Sequence, residues 1–145
     1  MNYIFLIQKT KVDPEILLRD VTTAATTLSL KVKQTHDNDK TLEIYSDENN
    51  YFEIGLDGFE RSIEDKALFD GYGRLLFLFY YSAAVEKNKI IVPFLKEFLK
   101  GYPDMLVYCG SENAEGGNSI YNRSQLNAST ADNISEFRTQ VSKLP

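Results

Sequence analysis

Paired carboxylates are the residues of this chain whose spacing could do chemistry. Glu60 and Glu64 lie four residues apart, with Asp57 before them and Asp65 and Asp70 after them. One turn of helix would bring several of these carboxylates to the same side. Two carboxylates can divide acid and base roles when burial separates their pKa values. An enzyme using these carboxylates is therefore one hypothesis, and a solvated or partner-facing acidic surface is the commoner role of such a segment.

The other residue types that could be catalytic or bind a metal have less support for such a role. His36 is the single histidine, and no G-x-S-x-G nucleophile elbow accompanies it, so we expect an exposed, non-catalytic side chain. Cys109 ends an apolar run and is expected to be buried filler. Asp37–Glu48 partly matches a calcium loop, but Leu42 stands where the sharp turn needs glycine. We predict no catalytic residue, no metal site and no cofactor.

Charge is distributed unevenly along the chain. The segment 37–70 holds eleven carboxylates and three cationic side chains, whereas the whole chain has a net charge of −5. Phosphate binding relies on clustered Lys and Arg, and the cations here are scattered, which argues against nucleic acid as a ligand. A one-sided negative field speeds association with a basic partner.

Length and composition indicate one globular domain over residues 1–145, with 43% apolar residues to build a core. One cysteine excludes an internal disulfide and suits a reducing cytosol. The start of the chain has no secretory pattern, and the longest nearly apolar run, Leu75 to Val85, is far shorter than the roughly 20 residues of a membrane-spanning helix. We expect a cytoplasmic protein without a membrane segment.

The first half of the chain predicts a strand, a helix and then a set of strands. Tyr3 to Lys9 favours a strand, and Asp13-Pro14 is a typical helix start with an N-cap and a proline at the first position. Three segments have alternating apolar and polar residues or residue types that favour strands. They are Lys31 to Thr35, the residues around Leu42 to Tyr45, and Phe52 to Asp57. An antiparallel sheet with one polar face is the expected product.

The second half predicts further helices around one more strand. Arg74 to Asn88 is apolar nearly all round, which fits a buried strand, but its length favours a central helix. Ile91 to Lys100 predicts a second helix, Met105 to Cys109 a strand, and Ile134 onward a last helix. Residues 110–131 have no period and predict a long surface loop. The fold class is α+β, a mostly antiparallel sheet packed against helices.

Tyrosine serves both half-buried core positions and interface anchors. Tyr80, Tyr81, Tyr102 and Tyr108 are expected in or near the core. Tyr121 stands alone in a polar stretch, which favours an interface role.

The run Phe94-Leu95-Lys96-Glu97-Phe98-Leu99-Lys100-Gly101-Tyr102-Pro103-Asp104-Met105-Leu106-Val107-Tyr108 is similar to helix-to-strand segments of bacterial immunity proteins. In size, acidity, lack of catalytic motifs and α+β pattern, the chain resembles such proteins of polymorphic-toxin and contact-dependent growth-inhibition systems. The resemblance implies a cytosolic, non-catalytic antidote that binds and neutralises one cognate toxin without a cofactor.

Charge alone predicts the contact surface for a basic toxin. The residues in it are Asp57, Glu60, Glu64, Asp65 and Asp70, with Asp47, Glu48 and Tyr121 as further candidates. Two alternatives stay open at this point. One is a small-ligand-binding or adaptor protein whose Leu75 to Tyr81 helix lines a cavity. The other is the enzyme with carboxylates in the 57–70 region.

Overall fold

The computed structural model describes residues 2–35, 38–47, 50–56, 72–80, 88–111 and 119–141. Seven strands in this part of the chain pair antiparallel in the order β2-β3-β4-β5-β1-β6-β7, and four α-helices accompany them. The predicted α+β class is therefore confirmed. The elements are β1 (Asn2–Gln8), α1 (Pro14–Thr27), β2 (Lys31–Thr35), β3 (Asn38–Asp47), β4 (Asn50–Leu56), β5 (Gly73–Tyr80), α2 (Ile91–Phe98), β6 (Leu106–Ser111), β7 (Ser119–Tyr121), α3 (Arg123–Ala128) and α4 (Ile134–Gln140).

Strands β1 and β5 form the centre of the sheet. Ile4 lies opposite Leu78 and Leu6 opposite Leu76, and all four side chains are fully buried. The register shifts after Leu6, so that β5 carries one extra residue, Leu75, at this point. Such a bulge resets the alternation of side chains between the two faces.

The predicted central helix over Arg74 to Asn88 is wrong, because Gly73–Tyr80 is strand β5. A strand with apolar side chains on both faces has a continuous apolar sequence. The periodicity of such a sequence does not distinguish a strand from a buried helix. Pairing with β1 on one side and β4 on the other fixes the strand conformation. Residues 81–87 of the predicted helix lie outside the described residues.

Helix α1 begins where the sequence predicts. The Asp13 side chain accepts a hydrogen bond from the N–H of Glu15 at 2.8 Å, and Pro14 occupies the first position. The apolar stripe of the helix is buried against the sheet, through Leu17, Val21, Ala24 and Ala25. Local capping and helical periodicity agree here, which explains the accuracy of the prediction.

A buried asparagine anchors helix α2 to the sheet through hydrogen bonds. Asn88 is 1% exposed, and its Oδ1 accepts the N–H groups of Ile90 and Ile91 at 3.1 and 3.2 Å. Its Nδ2 donates to the backbone carbonyl of Tyr51 in β4 at 2.9 Å. One side chain therefore satisfies the start of α2 and fixes its position relative to the β3–β4 hairpin.

An aromatic ladder continues from β4 through α2 to the connection before β6. The ring centroids of Phe52 and Phe94 are 5.1 Å apart, those of Phe94 and Phe98 5.8 Å, and those of Phe98 and Tyr102 4.8 Å. At the end of the ladder, the Tyr102 hydroxyl donates to Asp20 Oδ2 of α1 at 2.6 Å. The ladder and this hydrogen bond join the two longest described helices.

The prediction of a surface loop over residues 110–131 is wrong for half of its length. Strand β6 continues to Ser111, and β7 and α3 occupy 119–121 and 123–128. The Asn122 side chain accepts the N–H of Gln125, and the Gln125 side chain accepts the N–H of Asn122, each at 2.8 Å. This reciprocal capping box starts α3. Only 112–118 of the predicted loop lie outside the described residues.

Gly55 leaves room for an aromatic ring from the next strand. Gly55 pairs with Phe77 across β4 and β5, and a Cβ at Gly55 would lie 2.4 Å from Phe77 Cζ. We predict that Gly55→Val lowers the free energy of unfolding by about 1 to 3 kcal/mol through overpacking. In a Phe77→Ala background the same change should cost little, as measured by urea denaturation of the four proteins of the cycle. Equal losses in both backgrounds would contradict this packing relationship.

The Tyr102–Asp20 hydrogen bond predicts a pH-dependent contribution to stability. Burial, followed by the hydrogen bond to Asp20, raises the pKa of Tyr102 above its ordinary value. Tyr102→Phe should lower the free energy of unfolding by about 1 kcal/mol at neutral pH, since Asp20 is partly exposed.

The direction of this pH dependence follows from the raised pKa of Tyr102. Unfolded chains release the tyrosine proton from about pH 10, whereas the folded protein retains it. The contribution is therefore complete below that pH and declines as the pH rises. Denaturation curves of both proteins from neutral to alkaline pH measure it, and a constant difference across the range would refute the prediction.

Candidate protein-binding surface

The structure describes one of the acidic residues predicted to contact a partner. Asp47 is exposed at the end of β3, where its Oδ1 accepts the N–H of Asn50 at 3.0 Å. Its carboxylate therefore stabilises the tip of the β3–β4 hairpin and faces solvent. The remaining acidic candidates lie outside the described residues, namely Glu48, Asp57, Glu60, Glu64, Asp65 and Asp70.

The prediction that Tyr121 is an exposed interface residue is wrong. Tyr121 is 2% exposed in β7, and its ring meets Phe137 of α4 edge-on with 4.6 Å between centroids. The ring anchors the last described helix to the edge of the sheet. Its polar neighbours in sequence indicated a loop, whereas pairing of β7 with β6 places alternate residues on the helix side.

The helices described by the model pack on one face of the sheet. The large core cluster combines side chains of all four α-helices with the inward residues of the strands. A second, smaller cluster contains only strand residues, namely Ile7, Leu106, Tyr108 and Ile120, with Tyr3, Phe5 and Tyr72 packed against it. The face that carries this second cluster is called the aromatic face below.

Partly exposed aromatic side chains cover much of the aromatic face. Strand alternation places them there from β1, β3, β4 and β5, and they are Tyr3, Phe5, Tyr45, Tyr51, Phe77 and Phe79. The prediction of one polar sheet face is therefore wrong for the central strands, and it holds only toward the β2–β3 edge. The central strands have apolar or aromatic residues on both faces because both sides of each strand need packing.

The aromatic rings contact one another across this face. Centroid distances are 5.0 Å for Tyr3 and Phe5, 6.0 Å for Phe5 and Tyr108, and 4.8 Å for Phe77 and Phe79. All three pairs are tilted, the arrangement that ring quadrupoles favour. Mutual packing holds the rings in place, so the face is preorganised.

Cationic side chains of the protein lie over three rings of the same face. The Arg74 guanidinium is 4.6 Å from the Phe5 centroid, and Lys31 Nζ is 6.0 Å from the Tyr45 centroid. Lys9 Nζ lies 5.5 Å from the Tyr72 centroid. These distances are those of cation–π contacts, which shows that this surface favours positive groups.

One row of the aromatic face combines charged and aromatic side chains. Strand pairing aligns Lys33, Glu43, Glu53, Phe79 and Tyr3 from β2 to β1. Lys33 Nζ is 3.9 Å from Glu43 Oε2, a partly exposed ion pair. Glu53 is exposed and lies between Glu43 and Phe79.

An open cleft lies beside the end of β1. This open cleft of about 680 Å³ is lined by residues that include Lys9, Tyr72, Tyr102, Asp104 and Asn122. Its volume suits a small ligand. However, Lys9 lies over Tyr72, Tyr102 donates to Asp20, and Asn122 caps α3. These polar groups already make contacts within the protein, so the cleft is a weaker candidate for a binding site than the aromatic face. Residues 75–80, expected to line a cavity as a helix, form β5 instead.

Elsewhere in the described chain, no cluster of side chains has the arrangement of a catalytic or metal site. Asn38–Asp47 is a strand with Leu42 and Ile44 in the core, which is not the geometry of a calcium loop. Within the ranges given above, no group of three or more His, Cys, Asp or Glu side chains could hold a metal ion. The enzyme hypothesis relies on carboxylates between 57 and 70, which lie outside the described residues.

A scan against protein-family models, a search of curated proteins and a search of solved structures found no match to this chain. Of the helices that the model describes, none has the length and apolar character needed to cross a bilayer. The properties of the aromatic face are therefore the basis for an assignment of function.

Sequence reasoning missed the aromatic face, although a signal was present. Tyr3 and Phe5, and likewise Phe77 and Phe79, are spaced two residues apart, which places each pair on one side of a strand. For β5 the continuous apolar run conceals this signal, because the run fits a buried helix equally well. The opposition of Glu43 and Glu53 depends on strand register, which the sequence does not display.

The sequence-based interpretation of Cys109 as buried filler is confirmed. The side chain is 1% exposed, and burial raises the pKa of the Cys109 thiol to about 12. Because the thiolate is the reactive species, native protein should resist a thiol reagent such as DTNB at mildly alkaline pH. Unfolding in guanidinium chloride should release one rapidly reacting thiol per chain. Equal labelling rates in native and unfolded protein would contradict this expectation.

Proposed function

We propose that this chain is a non-catalytic protein-binding module of the immunity type. It binds a cognate, basic toxin in the cytoplasm and neutralises it, and it needs no cofactor. The observation that carries the proposal is the aromatic face, a preorganised set of partly exposed rings opposite the helix layer.

The composition of the aromatic face supports a protein partner. Tyr, Phe and Arg are enriched at the centres of protein interfaces, where rigid rings supply contact area at low entropic cost. Tyr3, Phe5 and Phe79 combine partial exposure with ring-to-ring or register contacts that hold their positions. A surface of this kind suits an extended contact better than it suits a small substrate.

The charge of the chain supports a basic partner. The net charge is −5, and the segment 37–70 carries eleven carboxylates. Glu43, Asp47 and Glu53, which belong to this segment, border the aromatic face on β3 and β4. Electrostatic complementarity gives rapid association, as an antidote to a toxin requires.

The proposed contact surface therefore combines the aromatic face with the acidic residues inferred from sequence. Asp57, Glu60, Glu64, Asp65, Asp70, Asp47 and Glu48 stay in the proposal as the acidic part. Tyr121 leaves it because its ring is buried against Phe137.

The test is capture and neutralisation with a face variant and a matched control. Tagged protein is incubated with lysate of the source cells and washed at low and high salt, and any captured basic protein is expressed alone to measure toxicity. Tyr3→Ala combined with Phe79→Ala removes two adjacent rings of the face. Hot-spot losses of at least about 2 kcal/mol predict roughly 30-fold weaker binding or more.

Ile16→Ala is the control, because Ile16 is the exposed large apolar residue on α1, at 40% exposure, in the helix layer. The control variant should capture the toxin and protect cells as the parent chain does. Circular dichroism and urea denaturation confirm that both variants fold. A captured toxin that binds the double variant and the control equally well would refute the aromatic face as the binding surface.

A further inference from the structure

Two carboxylates oppose each other on the aromatic face. Glu43 and Glu53 are direct cross-strand partners in the β3–β4 pair. Directly opposed residues of an antiparallel pair have Cβ atoms about 5 Å apart, and like charges at this spacing destabilise the sheet. Cross-strand energetics therefore predict that the pair lowers the stability of the free protein.

The neighbouring strands compensate only one of these carboxylates. Lys33 of β2 faces Glu43 with its Nζ 3.9 Å from Oε2, and both side chains are partly solvated. On the other side of the row, Glu53 is the cross-strand register partner of Phe79 in β5. Among the described residues, the Glu53 carboxylate has no ion pair, so a further cation would complete the row.

The ring beside Glu53 is also available to a cation. Three rings of the face already have a cation of the protein over them, at Phe5, Tyr45 and Tyr72. Phe79 is partly exposed, and within the described chain its ring contact is with Phe77 rather than with a cation. A positive group bound at Glu53 would have Glu43 as its cross-strand neighbour on one side and Phe79 as its neighbour on the other.

We infer that the row from Glu43 to Phe79 is the recognition point for an arginine side chain of a basic protein partner. Arginine fits better than lysine because its planar guanidinium can bond a carboxylate through two parallel N–H groups and stack on a ring. The inference rests on the proposed function and adds the chemistry of the group that the partner inserts.

The like-charge pair allows the inference to be tested through the thermal stability of the free protein. Glu53→Lys replaces the opposed carboxylates with alternating charges along the row. It should raise the melting temperature by roughly 1 to 3 °C while it abolishes arginine binding. A residue that serves only the fold would not show this opposition between stability and binding.

Binding is tested with two blocked peptides, hexa-arginine and hexa-lysine, titrated into isotope-labelled protein and followed by NMR. Shift changes for hexa-arginine should centre on the backbone amides of Glu43, Glu53 and Phe79, and hexa-lysine should bind more weakly. Glu53→Gln should weaken hexa-arginine binding at least about fivefold. Glu15→Gln on α1 is the matched control, with the same charge change at an exposed carboxylate in the helix layer.

Three outcomes would overturn the inference. One is equal weakening by Glu53→Gln and Glu15→Gln, which indicates general attraction to an acidic protein. Another is a shift pattern centred away from the row, or no shift at all. The third is concentration-dependent dimerisation in light scattering that Glu53→Lys removes, since a second copy of this chain would then be the occupant.

Failure of the inference and failure of the proposed function are distinguishable. If the Tyr3 and Phe79 double variant loses the toxin but Glu53→Gln leaves hexa-arginine binding unchanged, the function stands and the arginine site is refuted. If hexa-arginine binds at the row but the double variant still captures and neutralises the toxin, the row binds arginine, whereas the proposed binding surface and the role of the row in recognising the toxin are refuted.

Discussion

The structure depends on the antiparallel pairing of β1 with β5. These strands occupy the middle of the sheet, with β4, β3 and β2 added beyond β5 and with β6 and β7 added beyond β1. The register shift after Leu6 lets Leu75 and Leu76 both enter the core and turns Arg74 to the opposite face, over Phe5. A one-residue slip of this pair would exchange core and surface side chains throughout the centre of the sheet.

A central pair with apolar residues on both sides has two faces to protect from water. The described helices cover one face, through α1 against β2 and β4 and through α2, which Asn88 holds to β4. On the other face, tilted rings and the stems of cationic side chains cover one another. This arrangement leaves the rings rigid and partly exposed, which is the state that lowers the entropic cost of binding a protein.

A local signal predicted the start of α1, whereas tertiary pairing decided the conformation of the central strands. Asp13-Pro14 marked the start of α1 because an N-cap acts within one turn, whatever the rest of the fold does. The run from Gly73 to Tyr80 has no such local signal, since a strand with apolar side chains on both faces and a buried helix share one composition. Asn122 and Gln125 did form a capping box at the right spacing, but the polar residues around them concealed it.

The candidate site shows the same division between composition and register. An acidic segment is visible in the sequence, and the proposal of a basic partner follows from it, because both depend on composition alone. The meeting of Glu43 with Glu53, and of Glu53 with Phe79, exists only because β3, β4 and β5 pair in one particular register. A sheet selected for stability alone would place opposite charges at the first of these pairs. Because Lys33 compensates only Glu43, the arginine of the proposed partner would supply the cation for Glu53.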